Sequence, residues 1–499
     1  MKKVILLLLL AVTVTGHAQS VQVKVSMENA IMTNGGKWEG WGTSLCWWAN
    51  RIGYHEVLTQ KAADLFFDKD KGLGLNIMRY NVGGGDDPTH HHITRTDSDV
   101  PGWMVLDENG DRVWDYDADT RQLNVTRAAM KAAGQDAYLE IFSNSPPYFM
   151  TVSGCSTGNF KSDENNLRPD EYANFGEYMG HVANYMTKNL GLKVRSVSPM
   201  NEPNTNFWPA MNYKQEGCHI DAGQAQSSVL VETSKSLKKY GLDSVILTSS
   251  DETNPGLQID EIRKMSPEAR AAISRISVHT YGTNSIREMG QLAKDEKINL
   301  WMSEVDGNGT SGRNAGEMGA GLWLADKIIS DIQALEPSAW VLWQVIDTHV
   351  SKDGYGGRQD KGPLNRAGGY WGTAWADHDR GEIELTQKYY AFGQFSRYIR
   401  PGATVINCVT DRRSACKVLA AKDRKKLTVV CTNTSDTEKE MDIDLSEFKI
   451  RGKVRQIRTS GSMADGEHWT ETKGPEPAGS QLTVTLKPNS VTTFVIGTR

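Results

Sequence analysis

Two stretches of this 499-residue chain end an apolar run in a glutamate. "SVSPMNEP" (196–203) delivers Glu202 between Asn201 and Pro203, and "WMSEVDG" (301–307) delivers Glu304 after Trp, Met and Ser. A pair of carboxyl groups facing one bond can divide the work of hydrolysis. One gives a proton to the departing oxygen while the other attacks carbon or activates water. A lone glutamate in such a setting is more often a helix cap or an ion-pair partner. Asn201 and Pro203 weigh against that for Glu202, because they fix the backbone where a reactive acid needs fixing. The apolar residues ahead of Glu304 would bury it and help tune its ionisation. Competing acids are Glu140, Glu216, Asp251, Glu252 and Asp347. Glu140 lies inside an apolar run and reads as a structural contact; the others could bind substrate hydroxyls, but none shares both sequence contexts.

Only a fold that closes on itself brings glutamates so far apart to one place. Apolar runs bounded by turn residues recur at 38–48, 75–85, 136–147, 194–203, 244–252, 276–282, 298–307 and 339–347. Amphipathic stretches with helical spacing, such as 171–191 and 227–241, separate most of them. Near-continuous apolar strands alternating with helices form a parallel sheet covered on both faces. Eight such units predict an α/β chain folded as a (β/α)8 TIM barrel. An open doubly wound sheet is the competitor, weakened because no Gly-rich dinucleotide fingerprint follows the first run. Barrel chemistry sits at the C-terminal strand ends. That places Glu202 at the end of strand four and Glu304 at the end of strand seven. Arg79 and Asn81 fall on strand two, His279 and Tyr281 on strand six, and Trp343 and Gln344 on strand eight. Two acids ringed by aromatics and a guanidinium form the constellation that cleavage of a glycosidic bond requires.

Beyond residue 400 the rhythm changes to short alternating segments with polar turns and no helical pattern. We read 36–400 as the barrel and 401–499 as an all-β sandwich side domain, joined by residues 20–35 through the alternating "SVQVKVSM" (20–27). No free linker separates the two, which predicts a rigid interface. At the N-terminus, Lys2 and Lys3 precede an apolar run over 4–12 and then small residues, the pattern of a cleaved signal peptide over 1–19. That run is too short to span a bilayer, and the expectation is a secreted or periplasmic protein with no membrane span. The net charge of −5 without a basic stripe argues against nucleic acid and anionic membranes as partners.

Fourteen Trp and sixteen Tyr suit either sugar stacking or core filling. For Trp47 and Trp48 both remain open, whereas Trp208, just past Glu202, reads as a platform for a ring. Cys155 and Cys218 fall in the loops after strands three and four, adjacent around the rim, where a disulfide would brace the mouth. Cys408 and Cys416 could face across a hairpin, and Cys46 and Cys431 read as buried thiols. The "HHH" at 90–92 has no second ligand cluster after it, and adjacent histidines point different ways, so it reads as a polar rim loop. "VGGGDD" (82–87) lacks the Lys and Ser/Thr of a phosphate cradle. No metal or other cofactor is expected.

"SPMNEP", "WMSEVDG" and "YYAFGQFSRYIRPGA" resemble glycoside hydrolase family 30 across essentially the whole chain after the leader, sandwich included. The "NEP" triplet is shared by several barrel families; the tail with "RPG" narrows the likeness. Within the family, "NEPNTNFWP…QEGCHI" (201–220) and "SNSPPYFMTVSGCSTG" (143–158) are similar to endo-β-1,6-galactanases. The resemblance implies a retaining hydrolase with Glu202 as acid/base, Glu304 as nucleophile and Asn201 as donor to the 2-hydroxyl of the reacting ring. It further implies that Arg79 and Tyr281 position the nucleophile and that His279 and Trp343 line the same subsite. The implied partner is a polysaccharide, the β-1,6-galactan side chains of arabinogalactan. A β-1,6-glucanase and an exo-enzyme releasing galactobiose are the alternatives. A sugar-binding protein on an inactive barrel would lack one acid, and both are present. A retaining mechanism asks Glu202 to hold its proton near neutral pH and Glu304 to be ionised and hydrogen-bonded.

Overall fold

The computed structural model describes residues 20–89, 92–306, 317–360, 371–411 and 413–499. The expected leader at 1–19 and the first two histidines of the triplet at 90–92 lie outside the described residues. Eight parallel strands carry the larger part: β1 (Gly40–Ser44), β2 (Ile77–Asn81), β3 (Tyr138–Phe142), β4 (Val194–Ser198), β5 (Ile246–Leu247), β6 (Arg275–His279), β7 (Asn299–Glu304) and β8 (Ala339–Leu342). Their order is β5-β4-β3-β2-β1-β8-β7-β6, so β1 and β8 pair and close the sheet. The seam between β5 and β6 is held by two bridges, Thr248 to Arg275 and Glu252 to Val278. The result is the nearly closed (β/α)8 barrel that the eight apolar runs predict. Most of these strands are buried at every residue, as a parallel sheet under helices demands. The helix Tyr172–Lys188 shows how the cover is made: Phe175, Met179, Val182 and Met186 fall on one helical stripe and face the sheet.

Two runs depart from the expectation. The run 339–347 breaks after Leu342: residues 343–345 leave the sheet, and a separate strand, Ile346–Val350, pairs in parallel with Ala374–Asp377. The run 244–252 is a strand only over Ile246–Leu247. Beyond it Ser250, Asp251 and Glu252 tie down through their side chains, Ser250 to Glu261 and Asp251 to Arg79, which takes the backbone out of the ladder.

The sandwich consists of β9 (Thr404–Cys408), β10 (Cys416–Asp423), β11 (Lys426–Asn433), β12 (Lys439–Asp444), β13 (Ile450–Ser460), β14 (Glu467–Lys473), β15 (Gln481–Leu486) and β16 (Ser490–Thr498). One sheet runs β9-β10-β11-β16-β13-β14; the other joins β12 and β15 to the strand Val21–Lys24, which lies parallel to β12. In β15 buried and exposed residues alternate without a break, the period of a strand with one wet face. Val23, Met441 and Ile443 of the small sheet meet Ile406, Val418, Val429 and Phe494 of the large one. The opposite face of the large sheet, through Val405, Leu419, Val430 and Val491, joins the barrel core. Gln333, on the helix after β7, donates to the carbonyls of Cys408 (2.7 Å) and Val418 (2.9 Å). The sandwich therefore braces the helix that packs behind the Glu304 strand.

Candidate active site

After β4 the chain turns sharply, and Glu202 takes a left-handed conformation with φ of 47°. Such a backbone costs a non-glycine residue about 1–2 kcal/mol, so something must hold it there. The Glu202 N–H donates to the Asp251 carbonyl (3.0 Å), and its own carbonyl accepts from Thr205 Oγ1 (2.9 Å) and Trp208 Nε1 (3.2 Å). Trp208 in turn sits on two glycines. A Cβ at Gly217 would lie 2.2 Å from its ring, and one at Gly158 would lie 1.9 Å from its carbonyl oxygen.

Glu304 closes β7 and is buried. Arg79 Nη1 donates to its Oε2 at 2.6 Å, and the Tyr281 hydroxyl donates to its Oε1 at 3.0 Å. His279 stands between the two acids, with Nδ1 3.0 Å from Glu202 Oε1 and 3.5 Å from Glu304 Oε1. One oxygen of each glutamate and a ring nitrogen of His279 all lie within 4.8 Å of one another. The strands thus bring Glu202, Glu304, Arg79, His279 and Tyr281 into one cluster.

The charges in it are set by burial and by each other. Arg79 also donates to Asp251 (2.8 Å), Glu140 (3.2 Å), Ser44 (3.0 Å) and Asn201 Oδ1 (3.5 Å), and lies 4.0 Å over the Phe142 ring. Burial works to strip its proton, but the charges of Asp251 and Glu304 outweigh that and raise its pKa. For His279 burial again opposes the charged form, and Glu304 and Asp251 overcome it, lifting the ring to about 10. Burial pushes the Glu304 carboxyl above the usual range, against the pull of His279 and Arg79, with the Glu202 charge adding to the rise. Asp251 goes the other way: the positive charges of Arg79 and His279 outweigh its burial and keep it low. Glu202, His279 and Glu304 have the spacing of a cation site. A protonated imidazole offers no lone pair to a metal, however, and the Arg79 guanidinium already occupies the near side of Glu304.

The cluster floors a cavity of about 440 Å³ lined by Asn201, Trp47, Trp208, Trp343, Tyr281 and both glutamates. Trp47 and Trp343 meet edge to face at 5.0 Å. Asn201 gives its oxygen to Arg79, leaving the amide nitrogen as the group free to donate. Trp48, by contrast, packs on Phe66 and Phe67 in the core. Asn81 donates to buried Glu216 (3.0 Å) and does not line the cavity. Asp251 serves Arg79 and His279, and Glu140 binds Arg79 and Arg275, so both are supports for the reactive groups. Phe207, Thr253, Asp306 and Trp371 also line the cavity. Phe207 adjoins an aromatic already singled out, and Asp306 falls two residues past Glu304; Trp371 stands in a segment without periodicity and gave no signal.

The cysteine pairing is corrected: all six thiols are free and buried. Cys155 Sγ lies 3.0 Å from His92 Nε2 and 3.0 Å from Thr157 Oγ1, whereas Cys218 Sγ faces the His219 carbonyl inside the barrel core. Adjacent loops do not aim two sulfurs at each other, and these two are committed to different partners. Cys408 and Cys416 do not face each other either; Cys408 pairs with Val418 and Cys416 with Asn433.

A family model described as O-Glycosyl hydrolase family 30 matches residues 21–356. An endo-β-1,6-galactanase of Hypocrea rufa is 28% identical over 443 residues, covering 84% of this chain and 83% of that one. An exo-β-1,6-galactobiohydrolase of Bifidobacterium longum subsp. longum is 26% identical over 448 residues, covering 71% of this chain but 29% of that longer protein. Among solved structures, a family 30 subfamily 8 xylanase from Clostridium acetobutylicum superposes with a TM-score of 0.68 at 19% identity, over 95% of this chain and 99% of that one.

Proposed function

Because this chain belongs to glycoside hydrolase family 30, we propose that it is a retaining hydrolase of β-1,6-linked galactan, with Glu202 as acid/base and Glu304 as nucleophile. The observation that carries the reading is the approach of the two carboxyl groups, an oxygen of each within 4.8 Å. An inverting pair stands roughly 6.5–9.5 Å apart to admit a water, and a retaining pair roughly 5–5.5 Å. The spacing here supports retention.

In the first step Glu304 attacks the anomeric carbon and Glu202 protonates the departing oxygen; in the second, Glu202 takes a proton from the water that breaks the glycosyl ester. Arg79 and Tyr281, donating to the two oxygens of Glu304, aim it and favour its ionised form against the burial that raises its pKa. The His279 cation, 3.0 Å from Glu202 Oε1, stabilises the carboxylate that Glu202 becomes after giving up its proton. The Asn201 amide nitrogen is the donor for the 2-hydroxyl, and Trp47, Trp208 and Trp343 offer faces and edges to the ring.

Galactan as substrate draws on the two relatives whose names specify β-1,6-galactosyl linkages. Arabinogalactan side chains are the natural source of that linkage, and the leader at 1–19 would deliver the enzyme to them outside the cell. Endo action follows the Hypocrea relative, which this chain matches over most of both lengths.

The test is a panel of polysaccharides with two variants. Wild type should cut β-1,6-galactan and spare β-1,6-glucan. Glu304→Gln should lose at least about a thousandfold on every substrate, since no other group can attack. Glu202→Gln should lose as much on galactan yet keep much of its activity on an aryl galactoside whose phenolate leaves without a proton. Full galactan activity in Glu304→Gln would sink the assignment.

A further inference from the structure

Beside the reactive cavity lies a second, of about 520 Å³, which shares Lys214, Gln215 and Trp371 with it. Two of its lining groups, Asp347 Oδ1 and His349 Nε2, are buried polar atoms without a hydrogen-bond partner. His349 is only 5% exposed. Other buried polar atoms of this chain also lack a partner, but these two belong to residues lining one cavity, and that juxtaposition points to a ligand.

The proton on His349 can be located from the groups behind it. Arg51 binds Asp360 through Nε (3.1 Å) and Nη2 (2.7 Å), and its Nη1 lies 3.1 Å from His378 Nδ1. A guanidinium only donates, so His378 Nδ1 accepts and its proton is on Nε2. That Nε2 lies 3.1 Å from His349 Nδ1 and donates to it. His349 therefore carries its own proton on Nε2, the atom without a hydrogen-bond partner among the described residues. Burial, with the nearby Arg51 charge, keeps both rings neutral, His349 at about 3 and His378 at about 2. Asp347 is oriented in turn: its Oδ2 accepts from the Trp371 N–H, leaving Oδ1 as an acceptor. One fixed donor and one fixed acceptor in a single cavity match the hydroxyls of a sugar.

We propose that this second cavity binds the sugar preceding the reacting ring, with His349 Nε2–H and Asp347 Oδ1 contacting its hydroxyls and His378 as the positioning residue for the His349 proton. The inference rests on the glycosidase reading above. The glycone side follows from the barrel. The two groups that would hold the sugar, Asp347 and His349, come from the segment after β8, across the mouth from β4, whose Glu202 must face the leaving group; Tyr213, Lys214 and Gln215 of the loop after β4 reach over to complete the same cavity.

The experiment compares p-nitrophenyl β-galactoside, which fills the reacting position alone, with p-nitrophenyl β-1,6-galactobioside, whose second sugar reaches the new cavity. The readout is the ratio of kcat/KM, bioside over monoside. His349→Leu should lower it about tenfold, as loss of a hydrogen bond in a buried site does, mainly through KM. His349→Gln, whose amide keeps an N–H near the position of Nε2, should recover most of it. His378→Leu should raise the bioside KM with little change in kcat, and thermal melts check that each variant folds. An unchanged ratio in His349→Leu, or equal losses in the Leu and Gln variants with normal melting, overturns the proposal. Should wild type cleave neither galactoside, the galactan reading fails separately, and the ratio is measured on the corresponding β-1,6-linked glucosides.

Discussion

Replacing Tyr281 by Phe tests whether the protein controls the ionisation of Glu304. One side of the Tyr281 ring is open to solvent (the residue is 42% exposed), while its hydroxyl donates to Glu304 Oε1 at 3.0 Å. Burial of the hydroxyl and the negative charge of Glu304 push its pKa well above the ordinary value, so it stays a donor at every working pH. A hydrogen bond to a charged group contributes about 1.5–3 kcal/mol, and one pKa unit corresponds to about 1.4 kcal/mol. The bond favours the ionised carboxylate, so its loss raises the Glu304 pKa by roughly one to two units. Arg79 at 2.6 Å and the His279 cation remain, which favours the lower figure. The nucleophile must be ionised in the free enzyme, so the acid limb of kcat/KM should move up by about one pH unit in Tyr281→Phe. The deficit against wild type should therefore be larger near pH 4 than near pH 7. Profiles on a soluble β-1,6-galacto-oligosaccharide measure this, with a melting curve as control, since the aromatic ring is kept. Parallel profiles with the limb unmoved would show that Tyr281 does not set the charge on Glu304.

Glu216→Gln concerns stability. Burial lifts the Glu216 carboxyl from 4.5 to about 8, so the folded protein holds it protonated. The folded value is the higher one, so its contribution is complete below about pH 4.5 and is lost as pH rises through about 8, amounting to roughly 3 kcal/mol by pH 7. Glutamine cannot ionise, although its amide nitrogen cannot accept from Asn81 or Gly84 as a carboxyl oxygen does. The variant should therefore start lower than wild type at pH 4 but lose less stability between pH 4 and 8, and identical pH slopes would refute this. Gly217→Ala drives a methyl to 2.2 Å from the Trp208 ring and should raise KM for galactan about tenfold or more with melting changed by only a few degrees. An unaltered KM would mean that Trp208 is not a sugar platform.

The reactive pair was legible because barrel topology fixes where a strand end lies. Glu202 and Glu304 each follow an apolar run, and once eight runs are counted their positions on one rim follow without further information. Arg79, His279 and Tyr281 were found on the same ground. Sequence spacing stops where side chains choose among neighbours. Asp251 reads as one acid among several, yet its left-handed backbone (φ 60°) turns it into the barrel mouth, where Arg79 from β2 and His279 from β6 converge on it from opposite sides. Cys155 and Cys218 lie in neighbouring loops, but His92 and Thr157 claim the first sulfur.

The same contrast separates reaction from substrate. The atoms that would break the bond stand on strands and are placed by the barrel. Most of those that would measure the length of the bound sugar chain do not. Lys214, Gln215 and Trp371 stand in loops, and the proton on His349 is set by Arg51, His378 and Asp360, residues more than 300 positions apart at the extremes. No periodicity encodes such a relay, because it depends on a guanidinium having no lone pair and on each ring passing that constraint to the next. Chain-length preference in this barrel should therefore change with a single loop residue while the two glutamates and their chemistry stay as they are.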